Sequence, residues 1–457
     1  MTDFNKIDQY LDEHLFDSLA ELSRLCAQPS VAAQNLGLEE TAAIVARMLS
    51  ARGFHVEIIP TAGAPIVLAE RKGRMDKTLL IYDHYDVQPP EPLELWESAP
   101  FDPTLRDGKL FARGVSDNKG HFTNRLFAID AILAHENELP CNVKFIIEGE
   151  EEISSIHLHD FVRDHADKLA ADACLWEFGG VDYRDVPMQY LGMRGICYVE
   201  LSVETANGDL HSGLGGSIFP NAAWRLVWAL STLKDRDEHI RLPGFYDPIV
   251  PPTKRDRQLL GALPDLTEEY KRQFGLKHLL KDKKTGQELQ GLELRLAEVF
   301  EPTCTICGLT AGYQGEGSKT VLPALASAKV DFRLVEGQTP EQVLQALRTH
   351  LDAEGFADIH IKFLGGDRSA HTDPDDPFIK LVVETSAQVY DHPMEVTPMI
   401  GGSGPSYPFI HYLGVPVATC GIGHPGANVH APNENIRLDL YMKGAKHITR
   451  ILKEFGK

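Results

Sequence analysis

The residues able to do chemistry in this chain are acids and histidines set just past the ends of apolar, strand-like runs. Leu79–Tyr82 leads into Asp83-His84-Tyr85-Asp86. Residues two apart on an extended chain share a face, so Asp86 can sit beside His84. A metal-binding histidine uses such a carboxylate to fix its ring. A second run, Asn142–Ile147, leads into Glu148-Gly-Glu150-Glu151-Glu152. Carboxylates crowded in this way repel one another, and a cation relieves the repulsion while leaving a neighbour free as a base. Glu177 follows a third run, Ala173–Trp176, and His430 lies beyond a fourth, Val415–Cys420. Asp117, in Arg113-Gly-Val-Ser-Asp117-Asn-Lys-Gly120, precedes a helical stretch. Its two oxygens could bridge a pair of cations or, more plainly, cap the helix.

Singly, each has an ordinary explanation as a surface histidine, a helix cap or a solvated acidic loop. Together, His84, Asp117, Glu151, Glu152, Glu177 and His430 fall where open α/β sheets place ligands, beyond the C-terminal ends of strands. Two imidazoles with several carboxylates suit Zn2+ or Mn2+ better than Ca2+ or a thiolate-held metal.

The elements that must position them alternate between helix and strand. Helices at Leu38–Arg52, Gly120–Glu136 and Leu158–His165 are interleaved with strands at Val56–Ile59, Pro65–Glu70, Thr78–Tyr82, Asn142–Ile147 and Ala173–Trp176. After Gly192 the order becomes strand Ile196–Glu204, helix Pro220–Leu233, strands Cys304–Ala311 and Ala326–Leu334, helix Pro340–Leu351, strand Ala357–Leu364. That is the order of a ferredoxin-like layer, interrupted by the charged, irregular stretch Asp235–Glu301. Helix Asp376–Tyr390 and strand Val415–Cys420 then resume the earlier pattern. The expectation is an α/β protein with a mixed sheet flanked by helices, formed by residues 1–192 and 366–457. A ferredoxin-like α+β domain of residues 193–365 is inserted into it.

Composition narrows the classes. A chain of 457 residues exceeds one ordinary core. A net charge of −21 argues against nucleic acid, which needs a basic stripe. Residues Met1–Cys26 read as an amphipathic helix with leucines at 11, 15, 19, 22 and 25. No basic segment followed by an apolar run suggests a signal peptide, and no run is long enough to span a membrane. Seven cysteines, sparse and odd in number, suit a reducing compartment, and the expected location is cytoplasmic. Cys304 and Cys307 form a C-x-x-C with no second pair near it and read as strand cysteines. Gly401-Gly-Ser403-Gly-Pro405 fails as a nucleophile elbow because of its proline. Gly312–Gly317 lacks the helix of a phosphate loop.

At these residues the chain resembles the M20 metallopeptidases, which include dipeptidases, carboxypeptidases and N-acyl-amino-acid hydrolases. The resemblance covers nearly the whole length. It is carried most specifically by His84-Tyr-Asp86-Val-Gln-Pro, Arg113 to Gly120, Glu151-Glu152 and Asp209-Leu-His211-Ser-Gly. It implies two divalent metal ions per subunit, zinc or manganese, in the manner of two-metal hydrolases. His84, Asp117 and Glu177 would hold one, and Asp117, Glu152 and His430 the other. It further implies Glu151 as general base, Asp86 as support for His84, and a cis peptide bond at Asp117–Asn118. In dimeric relatives the histidine matching His211 reaches the partner's active site and steadies the oxyanion, so the inserted domain is expected to act as lid and dimerisation surface of a homodimer. Arg333 resembles the family's substrate-carboxylate arginine, whose guanidinium fork suits a free C-terminal carboxylate. Ser403 and Thr320 are expected to add substrate contacts. The expected reaction is cleavage of a dipeptide amide by metal-activated water. Glu151 takes the proton and delivers it to the leaving amine. The expected partner is a small peptide, with neither nucleic acid nor membrane involved.

Some positions depart from the family pattern. Asp83 stands where the family commonly has glycine, and Ile153-Ser-Ser155 where a small, glycine-containing run is usual. Glu at position 177 is frequent among carboxypeptidase and acyl-amino-acid hydrolase branches, whereas dipeptidases often carry Asp. An N-acyl-amino-acid deacylase or glutamate-type carboxypeptidase is therefore the alternative. A metal-binding protein without catalysis is opposed by the presence of Glu151.

Overall fold

Four of the apolar runs become neighbouring parallel strands of one sheet in the computed structural model of the chain, which describes residues 4–457. Across this six-stranded sheet the order is His55–Ile59, Ile66–Arg71, Leu139–Glu148, Gly73–His84, Ala173–Trp176, Val417–Thr419. The last four run parallel to one another, and the first two pair antiparallel. Strand Gly73–His84 is exposed where it begins with polar residues and fully buried from Leu79 to His84. Its apolar part reads clearly in the sequence, and its polar start does not.

This sheet belongs to a first unit that runs to Gly192 and resumes over His371–Pro398 and Pro405–Lys457. Helix Lys119–Glu136 packs on strands Gly73–His84 and Leu139–Glu148, and also against helices Asn5–Cys26 and Leu438–Phe455. Every residue of its first three turns is buried, including Lys119 and Arg125, so the helix lacks the one-sided apolar stripe of a surface helix. Helix Leu438–Phe455 has no counterpart in the sequence reading. Its interior Gly444 weakens the helical signal but serves packing: a Cβ there would meet Asn124 Oδ1 at 2.9 Å and Ile422 Cγ2 at 2.8 Å. The helix expected over Asp376–Tyr390 spans Pro377–Ser386. A small sheet pairs Asn435–Arg437 with Lys109–Phe111, which brings residue 434 beside the chain leading to Asp117.

The second unit comprises Met193–Ala370 and Met399–Gly404. The sequence reading assigns 399–404 to the first domain. Met399 instead packs with Leu260, Leu296 and Val299 of the second unit. Four strands order as His360–Asp367, Gly195–Glu204, Leu325–Leu334, Thr303–Ala311, all antiparallel. The alternating Cys197, Val199, Leu201 and Val203 form a core with Leu226 and Leu230 of helix Ala222–Leu233 and with Leu347 and Leu351 of helix Pro340–Ala353. The last strand begins at His360, three residues later than expected, because residues 354–359 turn after the helix, Gly355 at φ +83°. Cys304 is buried and Cys307 exposed, the latter at an irregularity in the pairing between Ile306 and Gly308.

Candidate dinuclear metal centre

His84 is the last residue of its strand and pairs in register with Glu148 of the neighbouring parallel strand. Glu151 and Glu152 follow one strand end and Glu177 follows the next, so these side chains converge on one edge of the sheet. His84 Nε2 lies 3.0 Å from Asp117 Oδ1, 3.5 Å from Glu177 Oε2 and 4.0 Å from Glu151 Oε2. The other Asp117 oxygen, Oδ2, is 3.1 Å from His430 Nε2, which in turn is 3.1 Å from Glu152 Oε2. Asp117 thus turns one oxygen toward each of two groups. It makes no helix cap. The N-cap of the following helix is Asn118, which has no side-chain capping bond. The Asp117–Asn118 peptide bond is cis.

The loops are held by carboxylates that do not belong to either group. Asp86 accepts the backbone N–H groups of Glu151 at 3.2 Å and Glu152 at 3.0 Å, and its Oδ1 is 3.3 Å from His84 Nδ1. Asp86 therefore orients the histidine and fixes the acidic turn. Gln88 donates to Glu152 Oε2 at 2.8 Å, and Asn118 donates to the Glu177 carbonyl at 3.0 Å. Glu434, which the sequence reading does not single out, accepts N–H groups from Gly114, Ser116 and Asp117 and the Arg113 guanidinium, at 2.7–2.9 Å. Its only signal in sequence is its place four residues after His430.

Electrostatics follow from crowding acids in a buried place. Burial, reinforced by Glu177, drives the Glu151 carboxyl well above the usual range. Burial does the same to Glu177, with Asp117 adding to it and His84 opposing. For Asp117 burial is outweighed by hydrogen bonds from His430 and His84, which hold it well below that range. Hydrogen bonds to Asp117 and Glu152 push His430 up to about 10.

This donor set fits a pair of divalent cations. Asp117, Glu152 and His430 offer ligand atoms within 4.8 Å of one another. The buried Glu152 Oε1 and Glu177 Oε2 have no hydrogen-bond partner. Acceptor oxygens left bare among like charges are what bound cations satisfy. The expected ligands of one ion, His84, Asp117 and Glu177, meet around His84 Nε2, and those of the other, Asp117, Glu152 and His430, around His430 Nε2.

The remaining expected site residues lie in the second unit. Arg333 donates to Ser403 Oγ at 2.8 Å, and Ser403 donates to the Gly195 carbonyl at 3.1 Å. His211 is exposed, and its Nδ1 accepts the Gly213 N–H at 3.0 Å, which leaves Nε2 as the protonated nitrogen of the neutral ring. The Thr320 carbonyl accepts from Ser212 N–H at 3.2 Å, beside that turn.

Residues 80–454 match the sequence model of Peptidase family M20/M25/M40. The chain belongs to this family. Among M20 relatives, the Beta-Ala-His dipeptidase of Rattus norvegicus is 31% identical over 378 residues, covering 76% of this chain and 73% of the relative. The M20 family metallo-carboxypeptidase Sso-CP2 of Sulfolobus solfataricus is 36% identical, with a TM-score of 0.89 over 96% of this chain and 99% of that one. Human carnosine dipeptidase 1 is 27% identical, with a TM-score of 0.84 over 99% of each chain. No helix among the described residues is long and apolar enough to cross a membrane.

Proposed function

We propose that this M20 peptidase hydrolyses dipeptides with two Zn2+ or Mn2+ ions. One observation carries the reading: Asp117 offers an oxygen at 3.0 Å to His84 and the other at 3.1 Å to His430, with Glu151 beside them. When bound, the cations supply Lewis acidity that lowers the pKa of water and polarises the scissile carbonyl. Glu151 accepts the proton of the attacking water and hands it to the leaving amine. Asp86 holds the His84 ring. His211 presents Nε2–H as a donor for the oxyanion in the active site of the partner subunit, Arg333 binds the substrate carboxylate, and Ser403 and Thr320 add substrate contacts.

The second unit is read as a ferredoxin-like lid and dimerisation domain. Its antiparallel strand order supports the first part. The second rests on an uncovered apolar face: Leu214, Ile218, Trp224 and Trp228 are 54–80% exposed, and the two indoles stack at 5.8 Å. A Trp228→Glu variant should then sediment as a monomer where the parent sediments as a dimer. All seven cysteines are free thiols, in keeping with a cytoplasmic setting.

A carboxypeptidase reading is favoured by Glu177 and by the 36% identity to a named metallo-carboxypeptidase. Metal-reconstituted protein assayed on dipeptides with free and acetylated N-termini, and on longer peptides, separates the two. Preference for free dipeptides is the expected result. Equal cleavage of blocked or longer substrates selects the carboxypeptidase or deacylase reading. No cleavage of any substrate by protein carrying two ions rejects both.

A further inference from the structure

The sheet edge that carries the ligands is crossed by a buried ion pair that the reaction does not use. Asp83 and Arg125 are both fully buried, with Arg125 Nη1 3.1 Å from Asp83 Oδ1. Neither Asp83 oxygen makes a hydrogen bond, nor does Arg125 Nε or Nη1, so on these atoms the two side chains face chiefly each other. Arg125 Nη2 donates to the carbonyl of Trp176 at 2.5 Å and lies 3.4 Å from that of Cys420. One guanidinium thereby meets three strands that are adjacent in the sheet, at or just past their C-terminal ends. Asp83 directly precedes His84, and Trp176 directly precedes Glu177. The helix bearing Arg125 starts two residues after Asp117.

We propose that the Asp83–Arg125 pair is a positioning brace that sets His84 and Glu177 relative to Asp117, so that it governs occupancy of that cation position without touching cation or substrate. Successive side chains on a strand point to opposite faces, so a pull on Asp83 turns the same stretch of backbone that aims His84. The other ligand group hangs on supports that the brace does not touch, although Asp86 serves His84 as well. Glu152 is tied through Asp86 and Gln88, and the loop of His430 through Glu434. Loss of the brace should therefore weaken one cation position selectively. This inference rests on reading His84, Asp117 and Glu177 as the ligands of one ion.

The test uses the full chain, stripped of metal and titrated calorimetrically with Mn2+. Two variants are compared with the parent: Asp83→Asn, which isolates the arginine charge, and Asp83→Leu/Arg125→Met, which removes both charges. Glu177→Gln and Glu152→Gln mark which binding step belongs to which position. The expected result is that both brace variants keep one step at parental affinity and lose at least tenfold in the step that Glu177→Gln removes. The metal-free unfolding midpoint should fall in Asp83→Asn and recover in the double variant. A double variant with both steps at parental affinity would show the pair to be structural filler and overturn the brace. Equal weakening of both steps would overturn its selectivity. A parent chain that binds a single Mn2+ would instead remove the dinuclear reading beneath it. Should Asp83→Asn fail to fold, the double variant alone decides.

Discussion

The Glu434 carboxylate accepts the backbone N–H groups of Ser116 and Asp117 on one oxygen, at 2.8 and 2.9 Å. Its other oxygen holds Gly114 N–H and Arg113. Two loops far apart in sequence are thereby locked together, one bringing Asp117 and the other His430. Removing one partner of a buried charge pair costs about 3–5 kcal/mol, because the remaining charge is left uncompensated. Glu434→Ala should accordingly lower unfolding free energy by roughly that amount. It should weaken metal binding as well, since bridging residue and histidine lose their shared anchor. Denaturant unfolding of the metal-free protein, followed by metal titration, checks both. An unchanged midpoint would mean the clamp is dispensable.

Glu151 stands apart from the ligands in having a neighbour, Glu152, whose oxygen meets His430, while its own nearest imidazole is 4.0 Å away. Glu151→Gln keeps size and polarity but cannot accept a proton. Turnover should fall by about 10^2–10^4-fold, the usual contribution of a positioned acid–base group. Metal content, measured in parallel by elemental analysis, should stay at the parental level. Near-parental turnover would assign the base to another residue.

The convergence of acids and histidines was legible in part because His84, Glu151, Glu152 and Glu177 close or follow strand ends, which are marked by the switch from apolar runs to acids, histidines and glycines, whereas Asp117 and His430 lie on loops. Helix Lys119–Glu136 was legible from its composition despite lacking a one-sided stripe. Glu434, Arg125 and helix Leu438–Phe455 were not. A buried charge such as Arg125 looks like any surface arginine until its partner, 42 positions away in sequence, is placed beside it. Gly444 looks like a helix breaker until Asn124 is seen against it. Such residues are chosen by contacts between distant segments, which local periodicity does not encode. The exchange of residues 399–404 between units has the same origin: Met399 carries no local mark of the cluster it completes.

In the metal-free protein His430 sits between Asp117 and Glu152, and its proton affinity rises from the ordinary histidine value to about 10. A raised folded-state value means that the protonated ring stabilises the fold. That contribution is complete below the ordinary value near 6.5 and is lost as pH climbs through about 10. A divalent cation must displace this proton, because only the neutral ring binds metal. Metal binding near pH 7.5 should therefore release on the order of one proton or more per chain, and affinity should strengthen as pH rises toward 10. Calorimetry in buffers of different ionisation enthalpy counts the protons. Binding without proton release would place the cations away from His430.

Arg333 is held in place by Ser403 at 2.8 Å and lies 3.4 Å from Asp331 through its Nε. A second guanidinium is close enough to matter: burial, with the Arg333 charge adding to it, lowers Arg194 to about 10. Asp331, Glu298 and Glu301 balance these two cations, so an incoming substrate carboxylate would be recognised by the guanidinium fork of Arg333 and not by excess positive charge. A hydrogen bond to a charged group contributes about 1.5–3 kcal/mol, equivalent to roughly 10- to 150-fold in affinity. Arg333→Met should raise KM for dipeptides by about that factor and leave cleavage of C-terminally amidated dipeptides nearly unchanged. Ser403→Ala should act in the same direction but more weakly, because it loosens Arg333 without removing its charge. Steady-state kinetics on matched acid and amide substrates separates binding of the carboxylate from general damage. If both substrates suffer alike, Arg333 serves the fold and not the substrate.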